Sequence, residues 1–238
     1  MENRIRRIEV YDHSLNPAAA EVWISVWPAY QTATTEVRGR LMGPRCLYSS
    51  TVEVAYALRP LPTALETLRS PRTPQSGGLT VRVVIPEANL WEPQCPFLYQ
   101  GPVELWQDGQ LCDRVILSHG LRSWQRKGHS VLVNGRPLKL RGRRVAACSD
   151  EEAIQWRRAG YNLLIATVVP HSLAVWEQAD RFGFFVLGQL GEDAEEACLV
   201  EKLRGHASCL GWLDAECRAL SAEEAIDWYV AHGNPEAV

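Results

Sequence analysis

The chain has 238 residues, of which 46% are apolar and 22% charged, and its formal net charge is −3. That composition fits a soluble protein with one large domain or two modest ones. Lys and Arg are scattered, with denser runs only at Arg4 to Arg7 and Arg141 to Arg144. A nucleic-acid partner is therefore not expected, because phosphate binding shows as a basic face, and the second run reads as a polar strand end. No stretch reaches the ~20 apolar residues that cross a bilayer. Met1-Glu2-Asn3-Arg4 has no apolar signal core behind it, so a cytoplasmic protein with no membrane partner is expected. The seven cysteines are odd in number and widely spaced, with no Cys-x-x-Cys pair. They read as free, mostly buried thiols, and neither a metal nor a cofactor is expected.

As far as about residue 118 the chain alternates polar with apolar or β-branched residues in short runs. Strands are expected at Arg7 to Tyr11, Glu21 to Trp27, Thr34 to Leu41, Thr51 to Leu58, Leu79 to Ile85, Val103 to Trp106 and Leu111 to Leu117. Turn residues separate them: Asn16-Pro17, Gly43-Pro44, Ser76-Gly77-Gly78 and Asp108-Gly109. Seven strands at that spacing predict a sandwich. Ser70 to Gly78, rich in Pro, Ser and Gly, reads as a surface loop.

From about Ser130 the period changes. Val131 to Val133, the turn Asn134-Gly135 and a run from Leu138 to Val145 predict a hairpin leading into a strand. Ser149 and Glu152 form a capping box for a helix whose apolar face is Ala153, Ile154 and Trp156, ending at Gly160. A strand at Leu163 to Val169 precedes a helix near Leu173 to Phe182, closed by Gly183. Phe184 to Leu187 and Cys209 to Leu213 are further strands. Helices are expected at Ala194 to Leu203 and after Ser221, the last ending before Gly233 and Pro235, which reads as an end at a natural unit boundary.

Four consecutive β/α units imply a parallel sheet with right-handed crossovers, half of an eight-fold barrel. A half barrel leaves an apolar face and two strand edges open. Either the sheet flattens under its helices or another subunit covers it, and a homodimer is the expected partner state.

Asn89-Leu90-Trp91-Glu92-Pro93-Gln94-Cys95-Pro96-Phe97-Leu98-Tyr99 resembles the Trp-x-Pro-x-x-Pro-x-Leu-Tyr signature of family 2 glycoside hydrolases, which include β-galactosidases, β-glucuronidases and β-mannosidases. Gly120-Leu121-Arg122-Ser123 resembles that family's Gly-Phe-Arg motif. Val133-Asn134-Gly135-Arg136-Pro137-Leu138-Lys139-Leu140-Arg141-Gly142 is similar to its entry into the barrel. Ala159-Gly160-Tyr161-Asn162 and Asp180-Arg181-Phe182-Gly183-Phe184-Phe185-Val186 continue the likeness, which covers residues 4 to 217. The resemblance implies an immunoglobulin-like β-sandwich over 1–120 followed over 121–238 by a truncated TIM barrel of about four units. The family's jelly-roll domain and second half barrel have no counterpart here. Read as residues alone, these motifs are turns, strand bends and helix caps, and carry no chemistry.

A retaining glycosidase needs two carboxyl groups about 5 to 5.5 Å apart, placed at C-terminal strand ends. The family's acid/base segment resembles His206-Ala207-Ser208-Cys209-Leu210-Gly211-Trp212-Leu213-Asp214-Ala215-Glu216-Cys217. Anchored on Trp212, the acid/base position falls on Cys217; with one deletion it falls on Glu216, the single acid/base candidate. The nucleophile strand has no counterpart in the chain. Ile165 and Val168 stand where the family has Arg and His, and Gln189 where the third strand ends on an acid. His171, Gln189, Glu192, Trp212, Asp214 and Glu216 are the candidate ligand-binding residues of a residual sugar cleft. Each also has a plainer reading: Glu192 and Asp193 favour a helix N-terminus, His171 is a surface group, and the tryptophans fill cores. The expectation is a non-catalytic relative with a binding or assembly role, carbohydrate being the candidate ligand. The alternative is an active O-glycosyl hydrolase, β-galactosidase-like, whose barrel is completed by oligomerisation or a partner chain. A third reading is a remnant or a piece of a longer hydrolase.

Overall fold

The computed structural model describes residues 3–16, 18–62, 78–127, 130–191 and 196–232. Pro17, most of the Ser70 to Gly78 loop, Glu192 to Glu195 and the Gly233-Asn234-Pro235 tail fall outside them. The chain divides into two compact units, the first made of Met1–Arg45, Thr51–Asn89 and Leu98–Leu121, the second of Cys46–Ser50, Leu90–Phe97 and Arg122–Val238. Two loops of the sandwich region thus group with the second unit, although sequence spacing alone assigns them to the first.

Among the described residues the first unit holds eight strands: β1 Ile5–Leu15, β2 Ala19–Pro28, β3 Glu36–Arg45, β4 Val54–Ala57, β5 Arg59–Pro60, β6 Leu79–Pro86, β7 Leu98–Gln107 and β8 Gln110–His119. They form two antiparallel sheets, ordered β1-β2-β6-β5 and β4-β3-β7-β8. Val22, Ile24 and Val26 of β2 lie in register with Val83, Val81 and Leu79 of β6. The period of two puts such rows on one face, and β3 packs on β6 across the sheets with Leu41, Val103 and Leu105 fully buried. Asp108-Gly109 makes a two-residue hairpin with φ of 51° and 75°, as the paired left-handed positions of such a turn require. The strand expected over Thr51 to Leu58 is instead split. Its second part, β5, joins the other sheet after Leu58 turns inward to donate to Gly39 O at 3.0 Å.

The second unit opens with a small antiparallel sheet: β9 Trp124–Lys127, β10 Ser130–Val133 and β11 Arg136–Leu138. Asn134-Gly135, at φ of 49° and 78°, closes the expected hairpin. Strand β9 is not legible in the sequence, because Trp124 to Lys127 has no apolar alternation and owes its strand to pairing with β10. The run from Leu138 to Val145 is broken after Leu138. The Asn162 side chain takes the place of a ladder partner there, accepting from Arg141 N and donating to Lys139 O, both at 2.8 Å.

There follow β12 Gly142–Val145, α1 Asp150–Arg158, β13 Leu163–Thr167, α2 Leu173–Phe182, β14 Phe185–Gln189, α3 Glu196–Leu203, β15 Cys209–Leu213, a 3-10 turn Ala215–Ala219 and α4 Ala222–His232. The four strands are parallel in the order β12-β13-β14-β15. Local chemistry sets the helix ends: Ser149 and Glu152 make the capping box of α1, Gly183 ends α2 at φ 73°, and Ser221 with Glu224 caps α4. In α1 the buried residues are Ala153 and Trp156, whereas Ile154 is 41% exposed and does not belong to the inner face. No helix among the described residues is long and apolar enough to cross a membrane.

Helices α1, α2 and α3 pack on one face of the sheet, where Leu164, Ala166, Val168, Val186 and Cys209 meet Trp156, Trp176, Phe182 and Leu203. Alternation sends Gly142, Arg144, Leu163, Ile165, Phe185, Leu187 and Gln189 to the other face. The last helix lies there, departing from the arrangement expected of a fourth β/α unit. A methyl group on Gly142 would sit 2.8 Å from Cδ1 of Ile226, and one on Gly211 2.7 Å from the Tyr229 hydroxyl. The Tyr229 hydroxyl donates to Leu210 O at 2.6 Å. Helix α4 therefore touches both outer strands of the sheet. The bare apolar face expected of a half barrel is not present: Leu163, Ile165, Phe185 and Leu187 are at most 1% exposed. Gly211 also sits at φ 155°, so Gly211→Ala adds strain to a clash and is expected to lower stability by about 2 kcal/mol in urea unfolding followed by tryptophan fluorescence.

Candidate functional site

The C-terminal ends of the four parallel strands are where this class of fold places its chemistry. Gln189 ends β14 on the α4 side and is 1% exposed. Its amide nitrogen reaches three main-chain carbonyls, Asp214 O at 2.6 Å, Leu213 O at 3.3 Å and Leu190 O at 3.4 Å. Its amide oxygen accepts from Arg144 Nη1 at 3.4 Å. The rest of the Arg144 guanidinium donates to Leu220 O at 3.0 Å through Nε and to Cys217 O at 2.6 Å through Nη2. The Cys217 and Leu220 carbonyls belong to the 3-10 turn and the step into α4, and Asp214 O and Cys217 O also accept within the turn, from Cys217 N at 2.9 Å and Leu220 N at 3.2 Å. Arg144 and Gln189 supply the donors, so the hydrogen-bonding capacity at this end is taken up by the chain's own backbone. The sequence reading of Arg141 to Arg144 as a polar strand end gave Arg144 no such role.

The other positions scatter. Ile165 lies beside Arg144 and Leu187 in the strand register and is 1% exposed. Val168 points instead into the core under α2, and its N–H donates to Gln189 O at 3.0 Å. Neither presents a polar group. Cys217 is buried in the 3-10 turn, and burial first, then the Asp214 carboxylate, raises its thiol pKa, which favours the protonated thiol. Glu216 and Asp214 are exposed, and Asp214 makes no side-chain cap bond to the turn that it precedes. His171 is exposed in the turn before α2. Trp212 faces the opposite side of the sheet, stacked on Trp176 at 6.5 Å, which makes it a packing residue and not a wall of a sugar cleft. Glu192 and Asp193 fall outside the described residues. Of the sequence candidates, Gln189 meets Arg144 and the main chain of Asp214, and Glu216, Asp214 and His171 are exposed at the strand ends.

The cysteines are less buried than expected. Only Cys209 and Cys217 are buried, Cys198 is exposed and the remaining four are half-buried.

A second polar cluster, which the motifs contain but do not explain, sits at the opposite end of the strands. Asp180, 4% exposed, accepts from Ser208 N at 2.7 Å and pairs with His206 Nδ1 at 2.7 Å. Its carbonyl accepts from Trp91 Nε1 at 2.9 Å, and Trp91 meets Phe185 edge-on at 5.0 Å. Arg122 donates to Cys209 O and lies over the Phe185 ring at 5.6 Å. Asp180, Trp91 and Arg122 are thus the shared motif residues, and here they join α2, the approach to β15 and the 90–97 loop. The signal was present as Asp180 and His206 in two separate motifs, but nothing local in sequence pairs them.

No family model matches the chain. A β-galactosidase from Oenococcus oeni is 25% identical over 131 residues, which is 50% of this chain and 13% of that protein. Among solved structures, a glycosyl hydrolase family 2 member from Bacteroides cellulosilyticus matches 90% of the chain with a TM-score of 0.64 and 18% identity, over 31% of its own length. A β-glycosidase from Bacteroides vulgatus matches 90% with a TM-score of 0.64 and 18% identity, over 30% of its length. A β-glucuronidase from Ruminococcus gnavus matches 89% with a TM-score of 0.61 and 18% identity, over 36% of its length. The chain therefore spans well under half of each of these proteins. With the Trp91 to Tyr99, Gly120 to Ser123 and Val133 to Gly142 motifs in the places that the fold gives them, the chain carries the fold of family 2 glycoside hydrolases, the family its sequence resembles.

Proposed function

We propose that the chain is a degenerate relative of the family 2 glycoside hydrolases that acts by binding or assembly, without glycosidase chemistry. The observation that carries this reading is the use of Arg144 and Gln189 at the strand ends. A sugar-cleaving site needs unspent donors and two facing carboxylates, and here the donors hold the carbonyls of residues 213, 214, 217 and 220. Ile165 and Val168 are buried and present no polar group at the strand ends, where a polar substrate needs partners. Among the described residues, the exposed groups that a saccharide could meet at this rim include His171, Asp214 and Glu216.

The alternative, an enzyme whose barrel is completed by a second chain, needs the missing strands to pair with the edge strands β12 and β15 and to enclose the inner face as the barrel interior. Helix α4 holds that face, so completion would require it to leave. The purified chain is expected to hydrolyse chromogenic β-galactosides, β-glucuronides and β-mannosides no faster than buffer. Turnover that drops by about a hundredfold in Glu216→Gln would contradict the reading and give Glu216 the acid/base role.

A further inference from the structure

The run Arg141 to Arg144 divides by face. Arg144 turns inward, where its donors are spent on main-chain carbonyls. Arg143 turns to the helix-covered face of β12, and Arg141, two residues earlier, lies on the same side by the alternation of an extended chain. Both guanidiniums pack there on aromatic rings. Arg143 Cζ sits 4.2 Å from the centroid of the Trp156 ring of α1 and 5.5 Å from that of Tyr161, which follows α1. Arg141 Cζ sits 4.9 Å from the same Tyr161 ring. Two cations thus share one ring beside β12, an edge strand paired on one side only among the described residues.

Stacking orders a guanidinium but supplies no acceptor for its N–H donors, which lie in its plane. Among the described residues neither side chain has a hydrogen bond or a carboxylate partner, and Arg143 Nε is buried with its donor unmet. Arg45, Arg82, Arg114 and Arg181, by contrast, each hold a carboxylate. The acidic groups at the start of α1 are engaged elsewhere: Asp150 pairs with Arg181 at 3.4 Å, and Glu152 accepts from Ser149 N at 3.0 Å. Cys148 feels the Arg143 charge but does not neutralise it, because burial first, then Glu152 and Asp150, push its thiol up to about 11.

We propose that Arg141 and Arg143 form a binding site for a phosphate dianion, as the free ion or as the end group of a small phosphomonoester. Two ring-ordered cations without an internal counter-ion match a group that carries nearly two negative charges near neutral pH and several acceptor oxygens. The buried Nε donor of Arg143 gains the acceptor that the chain does not give it. The site lies on the other face of the sheet from Arg144 and Gln189, so it does not depend on the glycosidase-like reading.

The test is to titrate the isotope-labelled chain with inorganic phosphate and, separately, with glycerol phosphate, at constant ionic strength in chloride, following the arginine Nε–Hε signals by NMR. Saturating shifts of the Arg141 and Arg143 signals are expected, with binding weakened about tenfold in Arg143→Gln and in Arg141→Gln. The tighter of the two probes tells whether the free ion or an ester is the better ligand. A second readout needs no variant: phosphate is expected to slow phenylglyoxal labelling of Arg141 and Arg143, mapped by peptide mass, where chloride at the same ionic strength does not. Shifts that rise without saturation for both probes would overturn the proposal. So would unchanged binding in either variant, or labelling of both arginines that phosphate leaves untouched.

Discussion

Tyr229→Ala is expected to lower stability by about 4 kcal/mol. The ring is 2% exposed, fills the space that Gly211 leaves empty, and its hydroxyl makes a buried bond to Leu210 O at 2.6 Å. Truncation removes a large apolar area and leaves that carbonyl short of a partner. Tyr229→Phe keeps the ring and loses the bond, so about 1 kcal/mol is expected. Urea unfolding of the three proteins, with tryptophan fluorescence as the probe, separates the two parts. Equal stability of Tyr229→Ala and the parent would mean that α4 is not packed on the sheet.

The second large effect is expected at Asp180. Burial alone would lower the pKa of His206, but the Asp180 carboxylate at 2.7 Å outweighs it, with Glu177 adding a smaller pull, and the net shift is upward. A histidine with a raised folded-state pKa stabilises the fold fully below its unfolded value of about 6.5. That contribution is lost as pH rises through the raised folded value. The chain is therefore expected to become less stable from mildly acidic pH towards alkaline pH in this window. Asp180→Asn should flatten the slope and cost about 3 kcal/mol below it, because a buried partner of both His206 and Ser208 N is weakened. A variant that keeps the parent's pH slope would show that another group sets it.

What the sequence made legible was local. Asn134-Gly135, the Ser149 and Ser221 capping boxes, and Gly183 at the end of α2 all follow from backbone chemistry within a few residues, and each forms as expected. Strand β15 was legible too, because Cys209 to Leu213 is a short apolar run between turn signals. The side of the sheet taken by α4 was not. Ala225, Ile226 and Tyr229 announce one buried helix stripe, but a stripe does not say which of two apolar faces it meets. The clue lay in two strands, where Gly142 and Gly211 leave room on one face only, and its meaning appears once their register is known. At the strand ends the resemblance implied that Arg, His and acid were replaced, by Ile165, Val168 and Gln189. It offered Gln189 as a ligand-binding candidate and not as a partner of the main chain, since the carbonyls that it serves lie 24 and 25 residues further along the chain.

The claim on which the rest depends is that the chain closes its own sheet, with α4 across the inner face and the strand ends filled by Arg144 and Gln189. Amide hydrogen exchange of the intact chain tests it most directly. If α4 is docked as described, amides of Ile226 to Val230 exchange only with those of Leu163 to Thr167 and Phe185 to Gln189, at the free energy of unfolding that unit. Free exchange of α4 at rates of an unstructured peptide, with the strands still protected, would contradict the account and leave the inner face open to a partner.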